Sequence, residues 1–326
     1  MQGKMGLFRT LFTVIIGFVL FGILIYFVGT EHLSQLKNVK ALPFILAILM
    51  TFCMHASVGL RWRKIVGVLT RKQNSSIWKY IHCIIYNAVL INLLPKELAE
   101  VGGRTLWLNK SEKIPFIQAG ATVFWDRFFD LFILAVVLIG SIPFWFAWGQ
   151  DPKIYFITIL LSISVGFIFL VVGNIYFEKF SGFFSLCWDI IYKLPVLRNR
   201  ERHKVALSPG RLPAKVLLTV FILSFLKFSF MAFRNLLFAM ALGLSIPPAI
   251  LLLGTPISQL TFVLSFTPGG LGIVEAGWLS ILLFKGVPES LISVFLVGQR
   301  IITIVAVATV FLVAHIIYLA TKIKHG

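Results

Sequence analysis

The chain alternates between long apolar runs and short clusters of basic residues. Residues 11–29 and 42–60 are each apolar over the length a helix needs to cross hydrocarbon, about 20 residues for a core ~30 Å thick. Residues 116–148, 154–177, 216–244 and 288–319 predict four more spans. The run 77–95 is shorter and flanked by basic residues on both sides, Arg61 to Lys64 with Arg71 and Lys72 before it, and Arg104, Lys110 and Lys113 after it. A segment that leaves and returns on one side of the membrane fits this better than a span. A second interrupted region covers residues 249–284 and is long enough for one re-entrant hairpin or two thin spans. The pattern predicts an all-α polytopic membrane protein with about six transmembrane helices and two re-entrant helical hairpins.

Each interrupted region contains helix breakers followed by a carboxylate. In the first they are Pro95, Gly102 and Gly103 around Glu100; in the second, Pro268, Gly269, Gly270 and Gly272 before Glu275. Proline lacks a backbone donor and clashes with the preceding turn, and glycine weakens a helix. Hydrocarbon cannot satisfy the freed backbone groups, so such a break must be buried in protein or line a wet cavity. A break with an ionisable group at membrane depth points to a functional site.

Composition agrees with a membrane chain: 59% of the residues are hydrophobic and the mean hydropathy is +0.95. A net charge of +18 on such a chain describes Lys- and Arg-rich cytoplasmic loops facing anionic headgroups, and not a nucleic-acid surface. The basic loop 178–215 and both termini are thereby assigned to the cytoplasm, and residues 150–153 to the outside. The first apolar run follows Lys4 and Arg9, exceeds a signal-peptide core and has no small-residue cleavage site, so it reads as a retained span. Cys53, Cys83 and Cys187 and the scattered histidines show no ligand spacing; no metal and no cofactor is expected.

An internal repeat emerges when Pro95 is aligned with Pro268, 268 − 95 = 173. The same spacing takes Arg61 to Arg234 and Arg127 to Arg300. Arginine inside a membrane is rare, because it costs at least ~2.5–3.5 kcal/mol at a helix centre. Within a single membrane domain over 1–326, the first repeat is 42–146 and the second 216–319. The basic loops orient these halves oppositely, an arrangement common to secondary transporters.

The four arginines are the candidate substrate-binding residues, since a guanidinium fork matches phosphate oxygens. Arg127 has Asp126 and Asp130 on its own helix, which can neutralise it; Arg300 has no acid within one turn and needs either Glu275 or a ligand. Arg61 sits at the expected end of a span and can simply obey the positive-inside rule, and Arg234 can reach outward to an interface. Glu100 and Glu275, with Asp126 and Asp130, can accept protons, pair with the arginines or cap freed amides.

Asn92-Leu93-Leu94-Pro95 with Glu100 and Arg104, Asp126-Arg127 with Asp130, and Pro268-Gly269-Gly270-Leu271-Gly272 with Glu275 resemble the flippase-like family of the transmembrane region of lysylphosphatidylglycerol synthases. Lys96 and Ala99 stand where the family often has glycine, which makes the first hairpin stiffer. The resemblance implies that an anionic, aminoacylated or polyprenyl-phosphate-linked lipid moves between leaflets, its phosphate held by intramembrane arginines where the repeats meet. In lysyl-transferring members the chemistry belongs to a separate soluble domain, and the chain ends at Gly326 soon after its last span; transport, not enzymatic transfer, is the expectation. The alternatives are an integral-membrane transferase acting on a lipid-linked substrate and a scaffold for glycolipid assembly. Expected partners are the lipid substrate, the membrane and a lipid-modifying enzyme, with no nucleic acid, in a prokaryotic cytoplasmic membrane.

Single cysteines introduced at Ser208 and Gln150 are expected to react with a membrane-impermeant thiol reagent from opposite sides. Labelling of both from one side contradicts the opposite orientation of the two halves.

Overall fold

The computed structural model describes residues 38–71, 76–94, 98–146 and 213–323, with Val19 and Ser164 as isolated positions. The expected first span at 11–29, the outer turn at 150–153, the return span at 154–177, Pro95 and nearly all of the basic loop lie outside these residues. The described elements are helical: α1 (Ala41–Thr70), α2 (Ile77–Leu93), a π-helical turn (Leu98–Gly102), α3 (Gly103–Ser111), α4 (Phe116–Phe146), α5 (Ala214–Ala241), α6 (Pro248–Leu264), a 3-10 turn (Pro268–Gly270), α7 (Ile273–Phe284) and α8 (Glu289–Ile323). Three helices among the described residues, Ala41–Thr70, Ala214–Ala241 and Glu289–Leu319, are long and apolar enough to cross a membrane.

Local chemistry explains the breaks. Leu94, just before Pro95, closes α2 in an extended conformation (φ −126°, ψ 157°), as steric conflict with a following proline ring requires. Thr267 is extended before Pro268 for the same reason (φ −87°, ψ 151°). The chain then turns through Gly269, Gly270 and Gly272, all at positive φ, where a side chain is disfavoured. Helix α7 restarts under the Glu275 carboxylate, whose Oε2 accepts a 2.7 Å hydrogen bond from the Gly272 amide. This satisfies one of the donors left free at a helix N-terminus.

One expected boundary is corrected. The basic cluster at Arg61 was expected to end its helix near residue 60, yet α1 continues to Thr70. Arg61 and Trp62 are both fully buried. The Trp62 ring packs edge-on against Tyr80, with centroids 5.3 Å apart, and carries the Arg104 guanidinium at 4.2 Å. Tertiary partners therefore receive Arg61 and Trp62, while Lys64 stays exposed.

The order long, short, short, long occurs twice. Ala41 and Ala214 open the first helix of each set, and Phe116 and Glu289 the last, again 173 positions apart. Packing follows the same rule. Helices α1 and α5 pack on each other; α2 packs on α8 as α6 packs on α4; α1 packs on α4 and α8 as α5 packs on α8 and α4. Each half has its own core, one around Trp62, Tyr80 and Leu108, the other around Trp278, Phe295 and Phe238. Large apolar side chains such as Leu42, Ile222 and Ile316 face outward, while Arg61, Arg104, Asp126, Asp130, Lys227 and Glu275 are buried inside. This is the distribution a hydrocarbon solvent imposes.

Gly270→Val and Gly286→Val separate crowding from backbone strain. Both glycines have positive φ, but a Cβ on Gly270 would lie 2.6 Å from Val274 and 2.8 Å from Phe262, whereas nothing lies within 4 Å at Gly286. Gly286→Val should cost the ~1–2 kcal/mol of left-handed strain alone, and Gly270→Val a further ~1–3 kcal/mol from overpacking. Thermal unfolding in detergent should show the larger loss for Gly270→Val.

Candidate functional site

A cavity of about 200 Å³ lies among α1, α2, α4, α5, α6 and α8. Helix α4 places Arg127 and Asp130 on its wall, α5 places Lys227 and Arg234, and α8 places Gln299, Arg300 and Thr303. The two interrupted regions supply Glu100 with Arg104, and Gly269 with Glu275. The carboxamides of Asn87, Asn92, Asn235 and Gln259 complete a polar lining.

A dense ion-pair cluster forms one side. Arg61 donates from Nε to Asp126 Oδ1 at 2.7 Å, and from Nη1 to Asp130 and to Ser224 Oγ, the latter at 2.8 Å. Arg104 Nη2 donates to the other Asp126 oxygen at 2.8 Å. Arg127 pairs with Glu100 and, at 3.4 Å, with Asp130 Oδ2. Lys227 Nζ lies 2.9 Å from that same Asp130 oxygen. Four cations thus share three carboxylates.

The second half is more sparsely paired. Arg300 donates to the Gly269 carbonyl at 2.8 Å and lies 3.5 Å from Glu275 Oε1. The Gly269 carbonyl, freed by the break, is thus satisfied by a side chain. A Cβ at Gly269 would stand 2.7 Å from Arg300 Nη2, so this close approach needs glycine. Arg234 has no carboxylate partner among the described residues. It meets the Met54 sulfur at 3.8 Å and lies 5.3 Å from the Phe238 ring centroid, and its Nε is buried without a partner. At the 173-residue spacing, Asp126 and Asp130, which neutralise Arg61, correspond to Gln299 and Thr303. Among the described residues, six cations and four carboxylates in and behind the wall leave two positive charges uncompensated.

Among the residues singled out from sequence, Arg127, Arg234, Arg300, Glu100, Asp130, Glu275 and Gly269 come together on this one cavity. Arg61 and Asp126 do not line it; they sit behind the wall and hold it in place. Pro268, Gly270 and Gly272 lie buried in or beside the second break. Gly102 closes the π-helical turn, and Gly103 opens α3 where a Cβ would overlap the Asn87 side-chain oxygen. Sequence reasoning missed Lys227 and left Arg104 among the basic flanks. Lys227 carried a readable signal, a charge in mid-helix between Leu226 and Phe228. The carboxamides carried none, because an isolated Asn or Gln in an apolar run does not show which way it faces.

A family profile described as "Lysylphosphatidylglycerol synthase TM region" matches residues 14–310. The chain belongs to this family. It is also similar to the UPF0104 membrane protein PH1989 of Pyrococcus horikoshii, at 23% identity over 314 residues covering 88% of this chain and 91% of the relative. No solved structure matches the chain. Family membership, with the apolar helices, establishes an integral membrane protein.

The two equivalent arginines are expected to respond oppositely to an apolar replacement. Arg61→Met leaves Asp126 and Asp130 underpaired, and breaking a buried pair costs about 3–5 kcal/mol. Arg234→Met removes a desolvated cation that had no counter-charge, so thermal stability should be unchanged or higher. A larger loss for Arg234→Met would contradict this charge assignment.

Proposed function

We propose that the protein is a flippase-type transporter that carries the phosphate-bearing headgroup of an anionic lipid across the membrane through this cavity. The observation that carries the reading is Arg234, a cation facing a polar cavity with no carboxylate to neutralise it among the described residues. A charge at membrane depth needs a partner, and a phosphodiester supplies one with the geometry a guanidinium prefers. In this reading Arg234 and Arg300 hold the phosphate, and the 3.5 Å pair between Arg300 and Glu275 is loose enough to exchange for it. Arg127 is held by Glu100 and Asp130 and contributes mainly to the positive field.

The two halves are read as inverted repeats, 42–146 and 216–319, with the headgroup path where they meet. Helix α7 has 12 residues and so extends about 18 Å, short of the ~30 Å hydrocarbon core; both interrupted regions are accordingly read as re-entrant. The termini and the 178–215 loop face the cytoplasm of a prokaryotic cell, and a separate lipid-modifying enzyme supplies the substrate. Among the described residues Glu100, Asp126 and Asp130 are engaged by cations of the ion-pair cluster, which favours transport over group transfer.

Leaflet exchange of phosphatidylglycerol in proteoliposomes tests the reading. Losing one strong charge-assisted partner should lower binding by about tenfold or more, since ~1.4 kcal/mol is tenfold. Arg234→Ala and Arg300→Ala should therefore both lose most transport at matched expression and thermal stability. Arg300→Lys should be intermediate, because it keeps the charge and loses the fork. Wild-type transport by Arg234→Ala rules out the phosphate site.

A further inference from the structure

A second cavity of about 180 Å³ adjoins the first and shares Glu100, Arg127, Asp130, Lys227 and Gln259 with it. Its other walls are apolar throughout: Val101, Leu131, Leu134, Phe228 and Val263. They come from the π-helical turn, α4, α5 and α6. Leu134 and Phe228 are buried, whereas Val101 and Leu131 are 44% and 47% exposed. The cleft therefore runs from the charged cavity to the outer, lipid-facing surface. At the junction the Lys227 ammonium pairs with Asp130 at 2.9 Å and lies 4.8 Å from the Phe228 ring centroid, so the charge stands where the polar and apolar walls meet.

We infer that this cleft is a lateral portal holding the first part of a hydrocarbon chain of the same lipid whose headgroup occupies the polar cavity. The inference rests on the headgroup reading above and adds where the tail leaves the protein. Continuity carries it: a charged site and an apolar groove share one wall, and the groove opens where the surroundings are hydrocarbon. A water-soluble anion would have no use for the groove. A lipid would otherwise have to draw its chains through the ion-pair cluster, where apolar surface gains nothing. Each methylene buried favours an apolar site about fourfold over water, but the groove competes with lipid. Its contribution is therefore to guide the chain and exclude ions, not to raise affinity.

The test uses the full chain in nanodiscs with two photoreactive probes, phosphatidylglycerol and phosphatidylcholine, each carrying a diazirine near the carboxyl end of one acyl chain. Crosslinks are mapped to residues by mass spectrometry. The anionic probe should label Val101, Leu131 and Val263 about tenfold or more above the zwitterionic one, while Ile316, exposed on α8, labels equally with both. Equal labelling of the cleft by both probes, or no enrichment over Ile316, overturns the portal. Arg234→Ala distinguishes the two claims: lost preference supports both, and retained preference keeps the portal while removing Arg234 from the headgroup site. Filling the cleft with Leu131→Trp and Val263→Trp together should reduce leaflet exchange about tenfold or more while binding of deacylated glycerophosphoglycerol stays within about twofold. Wild-type exchange by this filled variant also overturns the portal.

Discussion

A guanidinium removed from water must find counter-charge or hydrogen-bond partners, and in a bilayer the protein is the only source of them. Arg61 meets that demand with Asp126, Asp130 and Ser224, and the rest of the first half is arranged to allow it. Helix α1 runs past its basic cluster, whose first member, Arg61, has its partners inside. Helix α4 carries two aspartates on the face that meets α1 and α5. Arg104, stacked on Trp62 of α1, closes the cluster from the α3 side. Without these pairings the interior would hold naked charge, and no burial of Leu or Phe in a lipid-exposed fold could offset it.

The halves share geometry but not charge. Matching helix starts and matching contacts indicate two copies of one packing plan. Substituting Gln299 and Thr303 at the positions matching Asp126 and Asp130 leaves the same arginine position neutralised in one half and unneutralised in the other. The first half thus carries the dense ion pairing, and in the proposed reading the second offers charge to a ligand. The break at Pro268–Gly270 serves the same division, since its glycines let Arg300 reach a backbone carbonyl that regular helix would have occupied.

Much of this was legible in the sequence, for identifiable reasons. Prolines at 95 and 268 follow helix ends where steric rules require it, and the 173-residue spacing read from the arginines recurs in the helix starts. Arg61 was less legible: a basic cluster at the end of an apolar run reads as an interface, and only tertiary contacts with residues more than sixty positions away reveal that it is buried. The choice between Asp130 and Glu100 as partners of Arg127 could not be read either, since the i+3 neighbour is visible in sequence and the longer-range partner is not. The apolar cleft beside the site left no sequence signal, because Val101, Leu131 and Val263 look like any lipid-facing residues.

The most direct measurement is an experimental structure of the protein in a bilayer containing phosphatidylglycerol. The account predicts phosphate density in the cavity within hydrogen-bonding distance of both Arg234 and Arg300, with Arg61 still paired to Asp126 and Asp130. A cavity without phosphate, in which Arg234 is instead neutralised by a carboxylate of the chain, would contradict it.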